Sequence, residues 1–281
     1  MYTHIKFNRK QRGFFIKLVK LCIITATFLL LLLSHANAYI MQSIQKEVNI
    51  LSENITLAGI LSLPQNSQGK TLAAVLILPG ARPWDRNGNI RNGIKYGHYK
   101  DIAEYLTSAG FIVLRYDKRG IGGSRGKFPP DDFLLAQDAE AAYRWLREQP
   151  QVDKNRMIII GHSQGTRIAT LIAEKLEGLA AVVLLSPVLG SKAADYYHCP
   201  VLLVRGEKDA VVLPRQVENL LQAFHNAGNK KCRSLLIPGA NHLFFDVSQG
   251  EPDYSDPSTT IHPMLLKEIL AWLQEILKIR S

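Results

Sequence analysis

Met157-Ile158-Ile159-Ile160-Gly161-His162-Ser163-Gln164-Gly165 joins an apolar run to a helical pattern through a short glycine-flanked turn. Four apolar residues in succession predict a strand covered on both faces, and an apolar pattern of helical period begins at once over 166–176. Between them the chain has only a few residues in which to turn. Small residues on both sides let the backbone take strained angles and leave the serine hydroxyl exposed. Gly-x-Ser-x-Gly alone is a moderate signal, and a purely structural glycine-rich turn is the bland alternative. Its position between an apolar strand and a helix makes Ser163 the candidate nucleophile.

The same rhythm extends outward. Apolar runs at 73–78, 112–116, 180–185, 201–204 and 235–237 alternate with helical patterns at 99–108, 131–147, 214–227 and 264–278. Runs too apolar to alternate, with helices between them, predict a mostly parallel sheet with helices on both faces. Two alternating segments, 43–50 and 55–63, predict an antiparallel hairpin at its entrance. The expectation is one α/β domain over 39–281, with its chemistry at the carboxyl ends of the strands.

Residues 1–38 are set apart. Six basic residues and no acidic one occupy 1–20, an apolar run fills 21–33, and Ala36-Asn37-Ala38 offers small residues to a signal peptidase. That pattern predicts a signal peptide cleaved near Ala38 and a periplasmic or secreted protein; an uncleaved anchor is the alternative. The apolar run is shorter than the roughly 18–20 residues of a membrane span, and no span is expected in the mature chain. The 34 basic and 24 acidic residues give +10 overall, but setting the six leader cations aside leaves 28 against 24, or +4. The basicity therefore belongs largely to the leader and makes no case for nucleic acid.

A serine hydroxyl needs a base, and the base an orienting carboxylate. Asp209 follows the 201–204 run within Gly206-Glu207-Lys208-Asp209, and His242 follows the 235–237 run within Gly239-Ala240-Asn241-His242. Glu207 is the alternative acid. Of the six histidines beyond residue 38, only His242 stands directly beyond the last strand; His98 reads as structural or substrate-facing and His262 as a helix cap or loop residue. Two backbone amides should receive the oxyanion: Gln164, directly after the nucleophile, and Ala81 in the loop after 73–78, with Arg82 as second choice. Pro83 has no amide hydrogen to offer. Arg82, Trp84 and His162 are the substrate-pocket candidates, and His162, inside the elbow, reads as packing or bonding locally rather than acting as base. Cys199 and Cys232 each precede a strand-like run, so a disulfide between them is possible if those strands are parallel neighbours. No metal-ligand spacing and no nucleotide-binding glycine pattern appears, so no cofactor or metal is expected.

Together these residues resemble the α/β-hydrolase superfamily across the whole mature chain. The order Ser163, Asp209, His242 is that family's order. Asp117-Lys118-Arg119-Gly120-Ile121-Gly122-Gly123-Ser124 is similar to its D-x-R-G-x-G-x-S turn, whose Asp and Arg usually brace the loop beside the site. The 79–88 loop resembles the H-G-S-G-P-x-D-R-D-G-type oxyanion loop of a bacterial esterase branch related to serine-aminopeptidase-like hydrolases. It departs at Pro79 and at Ala81-Arg82, which replace His and Ser-Gly, and Thr166 replaces a commoner Gly after the elbow. Only 187–198 separates two strands where relatives often insert a lid, so an open site walled by 82–99 and 244–263 is implied. The resemblance implies a serine hydrolase of carboxylic esters acting on a small-molecule acyl substrate through an acyl-enzyme. A thioesterase, a peptidase or aminopeptidase, and an acyltransferase use the same triad; a non-catalytic binding domain is the alternative of another class. An imidazole base must be neutral, so activity is expected to fall toward acid pH.

Overall fold

A computed structural model describes residues 43–279 apart from 66–68, 91–94 and 257. The expected leader, residues 1–38, lies outside the described residues. The chain runs β1 (Ser43–Ser52), β2 (Ile55–Pro64), β3 (Leu72–Leu78), α1 (His98–Ser108), β4 (Ile112–Tyr116), α2 (Asp132–Arg147), β5 (Val152–His162), α3 (Gln164–Ala173) and β6 (Leu179–Leu185). A 3-10 turn at Ser191–Tyr196 leads to β7 (Val201–Gly206), α4 (Pro214–Asn226), β8 (Arg233–Ile237) and α5 (Pro263–Leu277).

The eight strands form one sheet in the order β1-β2-β4-β3-β5-β6-β7-β8. β1 pairs antiparallel with β2 and β2 antiparallel with β4, while the remaining pairs are parallel. This is the mostly parallel sheet with an antiparallel hairpin that the sequence predicts. Alternate residues of the inner strands enter opposite cores, as two-sided burial requires. Ala74, Leu76 and Leu78 of β3 join Met157 and Ile159 against residues of α2, α3 and α4. Ala73, Val75 and Ile77 join Ile158 and Ile160 against residues of α1 and α5.

The chain leaves β3 toward β4 and returns to the other side of β3 as β5. At such a reversal the loops after neighbouring strands part and leave a crevice. Here the loop after β3 and the Ser163 turn after β5 flank it, and registration of Leu78 with Gly161 brings them abreast.

The considered disulfide is absent, and Cys199 and Cys232 are both free thiols. Their strands are indeed parallel neighbours, but the register is wrong for a bridge. Leu202 sits opposite Arg233, which puts Cys232 across from Val201. Cys199 is then two residues further back, about 7 Å of extended chain, on top of the interstrand spacing. That exceeds the reach of a disulfide. Asn229 fills the gap, its side-chain amide donating to the Cys199 carbonyl at 2.8 Å. Burial pushes both thiols up to about 12.

Candidate active site

Ser163 takes φ 51° and ψ −115° at the junction of β5 and α3, a conformation few L-residues adopt. The flanking glycines are dictated by contact. A Cβ at Gly161 would lie 2.6 Å from the Gly165 carbonyl oxygen, and one at Gly165 would lie 2.2 Å from that of Leu78. The Ser163 amide is held by the Leu185 carbonyl at 2.9 Å, while its hydroxyl has no hydrogen-bond partner among the described residues.

His242 stands in the turn after β8 with Nδ1 3.0 Å from both carboxylate oxygens of Asp209, in the turn after β7. Burial alone would raise the Asp209 carboxyl. The bond from His242, the Val212 amide and the nearby Ser186 hydroxyl outweigh burial and hold it at about 2. Nδ1 therefore carries a proton for Asp209, and Nε2 is left without a partner among the described residues. Glu207, the alternative acid, is exposed and instead accepts from the Gly239 amide at 2.8 Å, bracing the turn that leads to His242.

Two of the expected pocket residues do not face a pocket. Trp84 is 2% exposed and packs edge-on to Tyr96, His98 and Tyr99. His162 is equally buried and bonded through both nitrogens: Nδ1 is 2.9 Å from the Tyr99 hydroxyl and Nε2 3.0 Å from the His242 carbonyl. The Tyr99 oxygen already accepts the Gly80 amide at 2.8 Å, so its own proton goes to Nδ1 and the Nε2 proton to His242. Burial, reinforced by repulsion from His242, lowers His162 to about 3 and keeps it neutral. Burial likewise keeps His98 well below its ordinary value, with neither ring nitrogen bonded. Trp84 and His162 instead pack beneath the loop after β3, which for His162 is the local bonding the sequence also allowed. Arg82 is exposed, as a rim residue would be.

Three residues escaped the sequence reading. Ser186, buried at the end of β6 with φ 46°, donates to the His242 carbonyl at 3.3 Å. Tyr99 links the loop after β3 to His162, as above. Lys118, 2% exposed, donates to the Gly80 carbonyl and to Gln164 Oε1 at 2.8 and 2.9 Å. A basic residue in the turn after β4 was the available signal for Lys118. Ser186 and Tyr99 carry no local pattern.

The walls named from sequence meet: Tyr96 packs on Tyr254 at 4.7 Å and on Phe245 at 6.1 Å between ring centroids. Between β6 and β7 the chain forms only the 3-10 turn and no lid helix. Among the described residues no three His, Cys, Asp or Glu side chains gather as a metal site, and no helix is long and apolar enough to cross a membrane.

Comparison with known proteins agrees with this architecture. A family described as serine aminopeptidase, S33, matches residues 92–196. Esterase EstD of Thermotoga maritima is 32% identical over 238 residues, covering 78% of this chain and 53% of that protein. The first curated relatives are likewise matched over only 42–66% of their own length. An esterase from Pyrococcus furiosus superposes with a TM-score of 0.64 at 18% identity, over 84% of this chain and 94% of that one. A Xanthomonas campestris protein described as an α/β serine hydrolase without a lid superposes at 0.59 and 17% identity, over 83% and 94%.

Proposed function

We propose, for a chain that belongs to the α/β-hydrolase superfamily, that this hydrolase cleaves carboxylic esters by a serine mechanism. The observation that carries the reading is the Asp209–His242 pair at 3.0 Å, which leaves Nε2 without a partner among the described residues, beside a strained Ser163 whose hydroxyl is likewise unpartnered there. In the reaction, Ser163 Oγ attacks the acyl carbon and its proton passes to Nε2 of His242. Asp209 stabilises the resulting imidazolium, and the amides of Gln164 and Ala81 receive the oxyanion. His242 returns the proton to the departing alkoxide, leaving the acyl on Ser163. Water then attacks that acyl carbon, gives its proton to Nε2, and releases the acid as Oγ is reprotonated.

Esters are favoured over transfer to another acceptor by the short connection between β6 and β7, which leaves the acyl-enzyme open to water. The comparison with an S33 serine aminopeptidase family gives a peptidase as the second reading. That reading needs an anchor for a charged amine. The test is a panel of chromogenic esters of rising acyl length beside thioesters and aminoacyl anilides, using wild type and Ser163→Ala. Ester turnover lost in Ser163→Ala supports the proposal; anilide turnover alone would move it to the peptidase. The leader pattern supports export, which N-terminal sequencing of the periplasmic fraction checks through a new terminus at Tyr39.

A further inference from the structure

A buried ammonium without an anionic partner is costly, because desolvation is repaid only by well-placed hydrogen bonds. Lys118 is such a group. No carboxylate lies within ion-pair distance of its Nζ among the described residues, and its partners are all neutral. They are the Gly80 carbonyl at 2.8 Å, the Ala81 carbonyl at 3.4 Å and Gln164 Oε1 at 2.9 Å, with the Phe128 ring 5.8 Å away. Two of these belong to the loop after β3 and one to the residue following Ser163.

The bonds constrain amides as well as carbonyls. In a trans peptide the C=O and the N–H of the same unit point in opposite directions. Drawing the Gly80 carbonyl toward Nζ therefore turns the Ala81 N–H away from it, and drawing the Ala81 carbonyl does the same to the Arg82 N–H. Neither amide donates to any described residue. The preceding unit is fixed from the other side, since the Gly80 N–H is held by Tyr99. Three consecutive peptide planes are thus clamped by two buried side chains. The clamped segment lies against the nucleophile: a Cβ at Gly80 would stand 3.4 Å from that of Ser163. Through Gln164, whose side-chain amide donates to Asp132 at 2.8 Å, the same ammonium ties the loop to the start of α3.

We propose that Lys118 is a positioning residue that presets the Ala81 amide as the loop's oxyanion donor, orients the adjoining Arg82 peptide, and locks their loop to the Ser163 turn. The inference rests on the serine-hydrolase reading. It also explains how this loop, with Ala81-Arg82 in place of Ser-Gly, holds a defined shape. Burial lowers Lys118 to about 8, so it remains charged at neutral pH.

The test compares wild type, Lys118→Met and Lys118→Arg on a short-chain p-nitrophenyl ester and by the rate of fluorophosphonate labelling. Fluorophosphonate attack builds negative charge on a phosphoryl oxygen in the same hole. Lys118→Met should lose about 10- to 100-fold in kcat with KM within about two-fold. It should label to completion but correspondingly slowly, and Lys118→Arg should recover part of both rates. If Lys118→Met fails to fold, Lys118→Gln, which keeps a neutral donor, carries the same comparison. A variant that labels and turns over at the wild-type rate, or that loses KM alone, overturns the inference. Wild-type protein that never labels overturns the serine-hydrolase reading beneath it, so the two failures are distinguishable.

Discussion

Two turns in this molecule carry three consecutive charged residues at the carboxyl end of a strand, and they meet opposite fates. Asp117-Lys118-Arg119, after β4, is buried throughout, at 1, 2 and 7% exposure. Glu207-Lys208-Asp209, after β7, buries only Asp209. In the first turn two of the charges hold the loop after β3 and the third reaches α2. Asp117 accepts the Arg86 guanidinium through both oxygens and the Gly123 amide, Lys118 holds the loop after β3, and Arg119 makes two bonds to Asp138 on α2. In the second, Glu207 and Lys208 pair with each other at the surface while Asp209 bonds His242. One turn is a junction box of buried charge; the other is a solvated loop with one buried acid. Charge along the chain does not distinguish them, and what each side chain reaches does.

The sharpest way to break the contrast is at its shared point, a buried acid. Asp209→Asn should keep the fold and lower kcat by about 10⁴-fold, because the amide no longer enforces the proton on Nδ1. Steady-state kinetics with a circular-dichroism melt check both halves. Asp138→Ala should do the converse. It strands Arg119 and removes the acceptor of the Ser52 hydroxyl, so urea unfolding should show a loss of about 3–5 kcal/mol. Turnover per folded molecule should be retained, and an unchanged midpoint would contradict a structural role for the first turn.

Acid stability offers a smaller effect. His98 and His162 are buried and held below the ordinary histidine value, so the unfolded chain binds protons there that the native state refuses. Stability should then fall as pH drops from about 6.5 toward 4. Asp209, depressed from 3.8 to about 2, adds its own loss only below that window. His98→Phe should flatten the slope by up to about 1.4 kcal/mol per pH unit, measured by urea midpoints at stepped pH. At the small end, Glu207→Gln and Lys208→Gln should leave turnover unchanged, and a marked loss would make Glu207 the orienting acid after all.

The fold was legible because its signals are local. The tetrapeptide Met157–Ile160, the glycines around Ser163 and the helical periods around it are each readable within a few residues. Candidate active-site residues at strand ends followed from the same logic, as did His262, whose ring accepts the Met264 amide at the start of α5. What sequence could not give is direction. Trp84 and His162 look like pocket residues by type, yet they point into the layer behind the loop, where they are almost wholly buried. Cys199 and Cys232 precede neighbouring strands, but a two-residue stagger in register separates them. Lys118 sits inside a recognisable turn, and only the fold reveals that its ammonium reaches Gly80, 38 residues away in the chain.

Ser163 as nucleophile stands or falls with mass spectrometry of the protein after fluorophosphonate treatment. One adduct per chain is expected, mapped to Ser163 in the tryptic peptide 157–167, and none in Ser163→Ala. Labelling that persists in Ser163→Ala, or that maps to another residue, would contradict it.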